Sequence, residues 1–221
     1  METAREEWLH ARKSGIGGSD IAAICGVNPY ASPLDVYLDK LGLIAPKEEN
    51  SAMRLGTKLE PVLAELYTEE TGKSLILSPL VRHHKKTWAL GTPDRLIHNE
   101  LRGVELKTAG LRSAHLWGEE EDAIPPHYIL QCQWYMAVTG FPDWDVAVLI
   151  GGQDFHIYHL TGDAELQAQL FDIGGRFWRD HVLAQSLPAL DASESWDTYL
   201  SAKYARHSDA LLSASEEAER W

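Results

Sequence analysis

A chain of 221 residues with 44% hydrophobic content can bury a sizeable core, and its length favours one domain, or one domain with an extension. Its formal net charge of −13, from 20 Lys and Arg against 33 Asp and Glu, argues against indiscriminate binding to nucleic acid, because phosphate contact needs cations and most of this surface repels it. No apolar run approaches the ~20 residues of a membrane helix, and the first residues are acidic instead of basic and then apolar, so a cytoplasmic protein with no membrane partner is expected.

Arg12-Lys13 is a first small basic cluster. Gly17-Gly18-Ser19 precedes a short helix from Ser19 to Cys25, closed by Gly26. It reads both as a capped helix start and as an anion site, since N–H groups and the dipole at a helix N-terminus favour a phosphate. Ser32-Pro33 opens a second helix, with Ser as cap and Pro at the first helical position. Leu55 to Thr71 carries Leu59, Leu63, Leu66 and Tyr67 at helical spacing and ends at Gly72. Glu60, beside Pro61, falls near the start of that helix, where an acid favours the dipole. A strand follows at Ser74 to Arg82, then the basic run Arg82-His83-His84-Lys85-Lys86. Each basic cluster reads most simply as a solvated face, with a local DNA channel as the alternative.

Thr87 to Ile97 and Leu101 to Thr108 read as the two strands of a hairpin. Glu119-Glu120-Glu121-Asp122 is an acidic loop. The helix His127 to Thr139 carries His127, Gln131 and Tyr135 as a polar stripe, which by spacing alone is simply its solvent side. Strands at Asp145 to Ile150 and Phe155 to Leu160 turn near Gly151-Gly152, and a helix runs from Ala164 to Ala184. After Pro188, seven Asp and Glu stand against three Lys and Arg, and from Asp191 a Ser-, Ala- and Glu-rich segment with Trp196 and Tyr199 reads as a peripheral helix with a frayed end. Cys25 and Cys132 lie in apolar helical surroundings without metal-ligand spacing, which makes them buried free thiols.

The chemistry concentrates in the hairpin. Side chains on a strand alternate faces, so Glu105 and Lys107 share one face while Val104, Leu106 and Thr108 point to the other. A turn centred on Asn99-Glu100 sets Asp94 directly across from Glu105, with Cβ atoms roughly 4.5–5.5 Å apart. Like charges at that separation destabilise the pair unless something positive lies between them, and a hard cation with oxygen ligands is the usual answer. Lys107, one pleat along, adds a compact charge beside the pair. No Cys or His stands at zinc-like spacing near Asp94 or Glu105, so the expected metal is Mg²⁺, with Mn²⁺ as a substitute. Asn-Glu is not the favoured Asn-Gly turn, and Gly103 leaves a bulge open as an alternative register. The plain alternative for the whole motif is an exposed hairpin edge decorated with charge.

Gly91-Thr92-Pro93-Asp94 followed by Val104-Glu105-Leu106-Lys107 resembles the motif of the PD-(D/E)xK nucleases. Further blocks extend the likeness: Gly15 to Gly26, Asn28-Pro29-Tyr30 with the helix through Lys40-Leu41-Gly42, Leu55 to Glu60, Ile124 to Tyr128, and Gln131 to Tyr135. In order and interval they resemble the YqaJ family, the phage-type recombination exonuclease group related to lambda exonuclease, over roughly Trp8 to Pro188. The resemblance implies an α/β (α+β) fold with a PD-(D/E)xK restriction-endonuclease-like core, a central mixed sheet flanked by helices. That core would occupy residues 1–190, followed by an acidic C-terminal helical extension over 191–221. It further implies a metal site of Glu60, Asp94, Glu105 and the carbonyl oxygen of Leu106. Asp94, Glu105, Lys107 and Gln131 would be catalytic, and Arg12, Ser19 and Tyr135 would meet DNA.

The expected activity is Mg²⁺-dependent hydrolysis of linear double-stranded DNA from its 5′ end, leaving a 3′ single strand for a phage annealing protein. The resemblance adds a ring-shaped homo-oligomer, a trimer, encoded by a phage or prophage in a bacterial host. Two alternatives stand beside it: a structure-specific or restriction-like endonuclease, which would use the same residues, and a catalytically silent module that keeps the fold and binds DNA ends or a partner, against which the complete set of Asp94, Glu105 and Lys107 speaks.

Overall fold

Apolar strands need cover on each buried face, and helices supply it on both sides of one sheet. The structure, a computed structural model, describes residues 11–44, 50–120 and 123–203. Its main sheet has the order β1-β4-β5-β6-β7, built from β1 (Leu75–Leu77), β4 (Arg95–Ile97), β5 (Arg102–Ala109), β6 (Asp143–Ile150) and β7 (Asp154–Thr161). β5 and β6 run parallel and the other neighbours antiparallel, which makes the sheet mixed, as the sequence predicts. Parallel neighbours need a crossover, and α4 (Pro126–Thr139) lies within it. β2 (Val81–Arg82) and β3 (Leu90–Gly91) form a separate two-stranded sheet.

Two strands expected to be continuous are therefore each two. Ser74 to Arg82 breaks at Ser78-Pro79, and Thr87 to Ile97 breaks at Thr92-Pro93-Asp94. Proline has no N–H to give a ladder, so at each break the chain leaves one sheet and joins the other.

Three helices begin close to where the sequence places them: α1 (Gly18–Ile24), α2 (Pro33–Lys40) and α5 (Ala164–Phe177). The Ser32 hydroxyl accepts from the Asp35 N–H, so the predicted cap is made. α5 is followed by a π-helical stretch, Trp178–Leu183. α3 (Ser51–Thr71) starts a full turn earlier than expected, because the Asn50 side chain caps it by accepting from the Met53 N–H at 2.9 Å. Glu60 is consequently in the middle of its helix, and the first-turn dipole reading fails.

β5 is the third strand of five, so the charged-edge alternative fails as well. Val104 and Leu106 on one face pack with Leu63 and Tyr67 of α3, Ile97 and Ala147. Glu105 on the other face meets Gln131 of α4. Cys132 is buried and Cys25, the C-cap of α1, is partly exposed; both are free thiols.

By its contacts the chain divides into two units, Met1–Pro188 and Ala189–Trp221. In the second, α6 (Glu194–Lys203) sets Trp196 and Tyr199 edge-on, ring centroids 5.7 Å apart. Glu121 and Asp122 of the expected acidic loop, and the chain beyond Lys203, lie outside the described residues. No helix among the described residues is long and apolar enough to cross a membrane.

Candidate active site

The site is built on the β4–β5 turn. Asn99 sits at φ 64°, and the Glu100 N–H donates to the Ile97 carbonyl at 3.2 Å. Asn is tolerated at that left-handed position, so Asn-Glu closes the turn without the glycine it was thought to lack. The register sets Arg95 opposite Val104 and Leu96 opposite Gly103. One further step sets Asp94 opposite Glu105, as a turn centred on Asn99-Glu100 requires. Gly103 forms no bulge. A Cβ there would lie 2.2 Å from the Trp144 ring, so the glycine is needed for that ring to cross the strand.

Pro93 ends the ladder just before Asp94, and the Asp94 side chain takes over: its Oδ2 accepts from the Leu106 N–H at 2.8 Å. A strand residue projects N–H and C=O to the same edge, so the Leu106 carbonyl faces the same side as Asp94. Glu105 is only 1% exposed. Its Oε1 accepts from Lys107 Nζ at 2.5 Å and Gln131 Nε2 at 2.6 Å, while its Oε2 is buried with no hydrogen-bond partner. Burial, then Asp94 beside it, pushes the Glu105 carboxyl up to about 8, against the pull of Lys107. Burial raises Asp94 too, with Glu60 adding and Lys107 opposing. Burial works against the Lys107 ammonium, but Glu105 and Asp94 outweigh it and hold the group charged.

This arrangement makes the metal-free protein sensitive to pH. Glu105 titrates near 4.5 when unfolded and near 8 in the fold, so the fold holds its proton more tightly. The stabilisation this confers is complete below pH 4.5 and is lost as pH rises through about 8. In chelator, calorimetry should show the melting temperature falling across that window, and Glu105→Gln should flatten the fall. Parallel curves for the two proteins would mean that Glu105 ionises normally.

A cleft of about 680 Å³ collects every other predicted site residue, with Glu60, Asp94, Glu105, Lys107 and Gln131 together with Arg12, Ser19 and Tyr135 on its walls. Leu106 lines an adjoining cleft of about 670 Å³ that shares Glu60, Asp94 and Lys107. The polar stripe of α4 is thus not its solvent side: Gln131 and Tyr135 are 8% and 3% exposed. The Tyr135 hydroxyl accepts from Gln131 Nε2 at 3.0 Å and donates to the Thr92 carbonyl at 3.3 Å. Through these bonds it braces Gln131, and it lines the cleft in which DNA contact is expected of it. A Cβ on Gly18 would lie 2.7 Å from the Tyr135 ring and 2.9 Å from Gln131, and this close approach of α1 brings Ser19 to the cleft.

Sequence reasoning missed several participants. Arg95 Nη1 donates to Glu60 Oε1 at 2.5 Å and to the Asp94 carbonyl at 2.6 Å, tying the helical acid to the strand acid. Its place directly after Asp94 was the available signal. Lys40, with no exposed side-chain surface, bonds Asp20 at 2.6 Å and the Arg12 carbonyl at 3.1 Å. Burial raises the Asp20 carboxyl, but Lys40 and Arg12 outweigh it and hold it below its usual value. No local pattern announces that pair, which joins α1, α2 and the segment before them. Of the basic run Arg82 to Lys86, Arg82 is exposed but bonds within the chain, to the Thr87 carbonyl and the Ser14 hydroxyl.

The residues present fit a hard divalent cation. The orphaned Glu105 oxygen, the raised Asp94 and the Leu106 carbonyl supply oxygen donors alone. Among the described residues no three His, Cys, Asp or Glu side chains converge to hold a metal by themselves. A hard cation that keeps several of its waters needs only one or two carboxylates besides substrate phosphate. Glu60, engaged by Arg95, stands at the outer side of this set.

Solved structures share this architecture. The alkaline exonuclease LHK-Exo from Laribacter hongkongensis aligns with a TM-score of 0.66 at 23% identity, over 90% of this chain and 98% of its own. The same enzyme has been solved in complex with dAMP. A phage related exonuclease from Haemophilus somnus 129PT aligns with a TM-score of 0.58 at 12% identity, over 78% and 96% of the two chains. The fold of this chain is therefore the one these exonucleases have. The chain belongs to the family of the YqaJ-like viral recombinase domain, which matches residues 7–142. The uncharacterized protein YqaJ of Bacillus subtilis (strain 168) is 37% identical over 209 residues, 92% of this chain and 65% of that protein. The uncharacterized protein R354 of Acanthamoeba polyphaga mimivirus is 25% identical over 156 residues, 66% of this chain and 28% of that one. The chain spans less than two thirds of the length of either relative.

Proposed function

We propose that the protein is a divalent-metal-dependent deoxyribonuclease that degrades linear double-stranded DNA from the 5′ end, leaving a 3′ single strand for a phage-type annealing protein. The observation that carries the reading is Glu105: a buried carboxyl beside a second acid, with one oxygen that nothing in the protein satisfies. Buried polar atoms are normally paired, and a carboxylate left so is one that meets something from outside. The exonuclease activity of the structural neighbours, one of them bound to dAMP, supports the substrate class.

Asp94, Glu105 and the Leu106 carbonyl would hold the cation, with Glu60 assisting from its pairing with Arg95. When bound, Mg²⁺, or Mn²⁺ in its place, supplies a more acidic water and neutralises charge gathering on the phosphate and leaving oxygen. Gln131 fixes the Glu105 rotamer by donating to Oε1, which leaves Oε2 free. Lys107 sets a permanent charge beside both acids, where it orients the attacking water or offsets the developing anion. Arg12 and Ser19 would hold the 5′-phosphorylated end by charge, hydroxyl and the backbone donors of α1. Tyr135 acts through Gln131. A net charge of −13 confines DNA to this local channel, and a ring of identical subunits, a trimer, would enclose the duplex at such channels. The domain of residues 1–190 carries this activity in the cytoplasm of a phage-bearing bacterial host, with 191–221 as its acidic extension.

Linear duplex bearing a 5′ phosphate should be reduced to mononucleotides while closed circular duplex is spared, as followed on gels and by nucleotide release. Ser19→Ala should slow the linear reaction more when the phosphate is present. Nicking of closed circles, abolished by Glu105→Gln, would reject the exonuclease assignment, promote the endonuclease reading and leave the metal site standing.

A further inference from the structure

Tyr30 is 70% exposed and stands at the mouth of both clefts, which share it with Ser19, Glu60, Asp94 and Lys107. Exposure alone is ordinary for a tyrosine. Its mounting is not. The Asn28 side chain accepts from the Tyr30 N–H at 2.9 Å and donates to the Ser19 carbonyl at 3.4 Å, pinning the turn to α1. Pro29 between them restricts its own φ, so the turn that carries the ring has little backbone freedom left to lose. Behind it runs a row of rings leading inward. Tyr30 meets His127 edge-on at 6.0 Å, His127 lies 4.0 Å from Tyr128, and the Tyr128 ring carries Lys107 Nζ at 4.9 Å. The floor of this row has an unexplained polar atom, since His127 Nε2 is buried with no hydrogen-bond partner. Burial, with Lys107 nearby, also lowers the His127 pKa, which keeps the imidazole neutral beside the charged lysine.

An aromatic face carried on a pinned turn at the mouth of a phosphate-cleaving cleft, two rings away from the catalytic lysine, matches the flat face of a nucleobase. We infer that Tyr30 is the stacking platform for the unpaired base of the nucleotide next to the scissile phosphate, with His127 and Tyr128 as the wall behind it. This rests on the nuclease reading. A duplex end must unpair at least one base to thread a strand toward the acids, and an aromatic face recovers the stacking that base has lost without regard to its sequence. Tyr30 is then a positioning residue that contributes chiefly to binding the end, while Asp94, Glu105 and Lys107 perform the chemistry.

The test uses the full chain and two linear duplexes with a 5′ phosphate and one unpaired 5′-terminal nucleotide, alike except that this nucleotide bears adenine in one and is abasic in the other. Dissociation constants are measured in Ca²⁺ and hydrolysis in Mg²⁺. Wild type is expected to bind the adenine end about tenfold more tightly, the scale of one base–aromatic stack. Tyr30→Ala should bring the ratio close to one, and Tyr30→Phe should preserve it. Substitution at this exposed site should leave the fold intact, and circular dichroism checks it. A wild-type ratio of one overturns the inference, as does a Tyr30→Ala protein that keeps the wild-type ratio. Base-dependent binding without hydrolysis of either duplex overturns the nuclease reading and leaves the platform; no binding to either duplex rejects both.

Discussion

Glu105→Gln and Lys107→Ala are each expected to lower turnover on linear duplex at least ~100-fold, the scale for losing one preorganised electrostatic group, with the fold intact. The reason lies in what each side chain touches. Glu105 has one oxygen bound by Lys107 and Gln131 and one bound by nothing, so its amide can keep the inner bonds while losing the charge that a cation needs. The metal-free Glu105→Gln protein should melt as high as wild type or higher near pH 8, because a charge held against its preference has been removed. Asp145 shows the contrast. It is equally buried but fully paired, with Tyr67 at 2.5 Å, Arg102 at 2.7 Å and His159 at 2.8 Å, the pattern of a structural acid. Steady-state rates with melting curves on the same preparations separate the two cases. A large drop in stability with proportionate residual activity would place Glu105 with Asp145.

Removal of divalent metal should abolish hydrolysis altogether, with Mg²⁺ or Mn²⁺ restoring it and Ca²⁺ supporting DNA binding without turnover. The donors that Asp94, Glu105 and the Leu106 carbonyl offer are oxygens only, which favours a hard cation over zinc. Metal should also raise the melting temperature in a concentration-dependent way, since ligand binding to the fold stabilises it by mass action. That increment should shrink in Glu105→Gln, which ties the bound cation to this carboxylate independently of any rate. Full activity in excess chelator would sink the proposal.

The hairpin, the pairing of Asp94 with Glu105 and the fold family were legible in the sequence because they rest on short-range rules. Strand alternation put Glu105 and Lys107 on one face, and the count of residues across Asn99-Glu100 set the register. The motif blocks carried the resemblance. The same rules misjudged Pro79 and Pro93, where the chain passes between two sheets, and Glu60, whose helix begins at an overlooked asparagine cap. Tertiary structure alone decided which polar residues face inward. Helical spacing put His127, Gln131 and Tyr135 on one stripe, but only the packing of α4 against β5 and α1 turned that stripe toward Glu105 and away from solvent. Arg95 on Glu60, Lys40 on Asp20 and the ring of Tyr30 over His127 likewise join residues 35, 20 and 97 positions apart. Periodicity reports which residues share a face of one element; what that face meets depends on burial and charge contributed by the other elements, and those are set when the sheet and its helices close around the carboxylates.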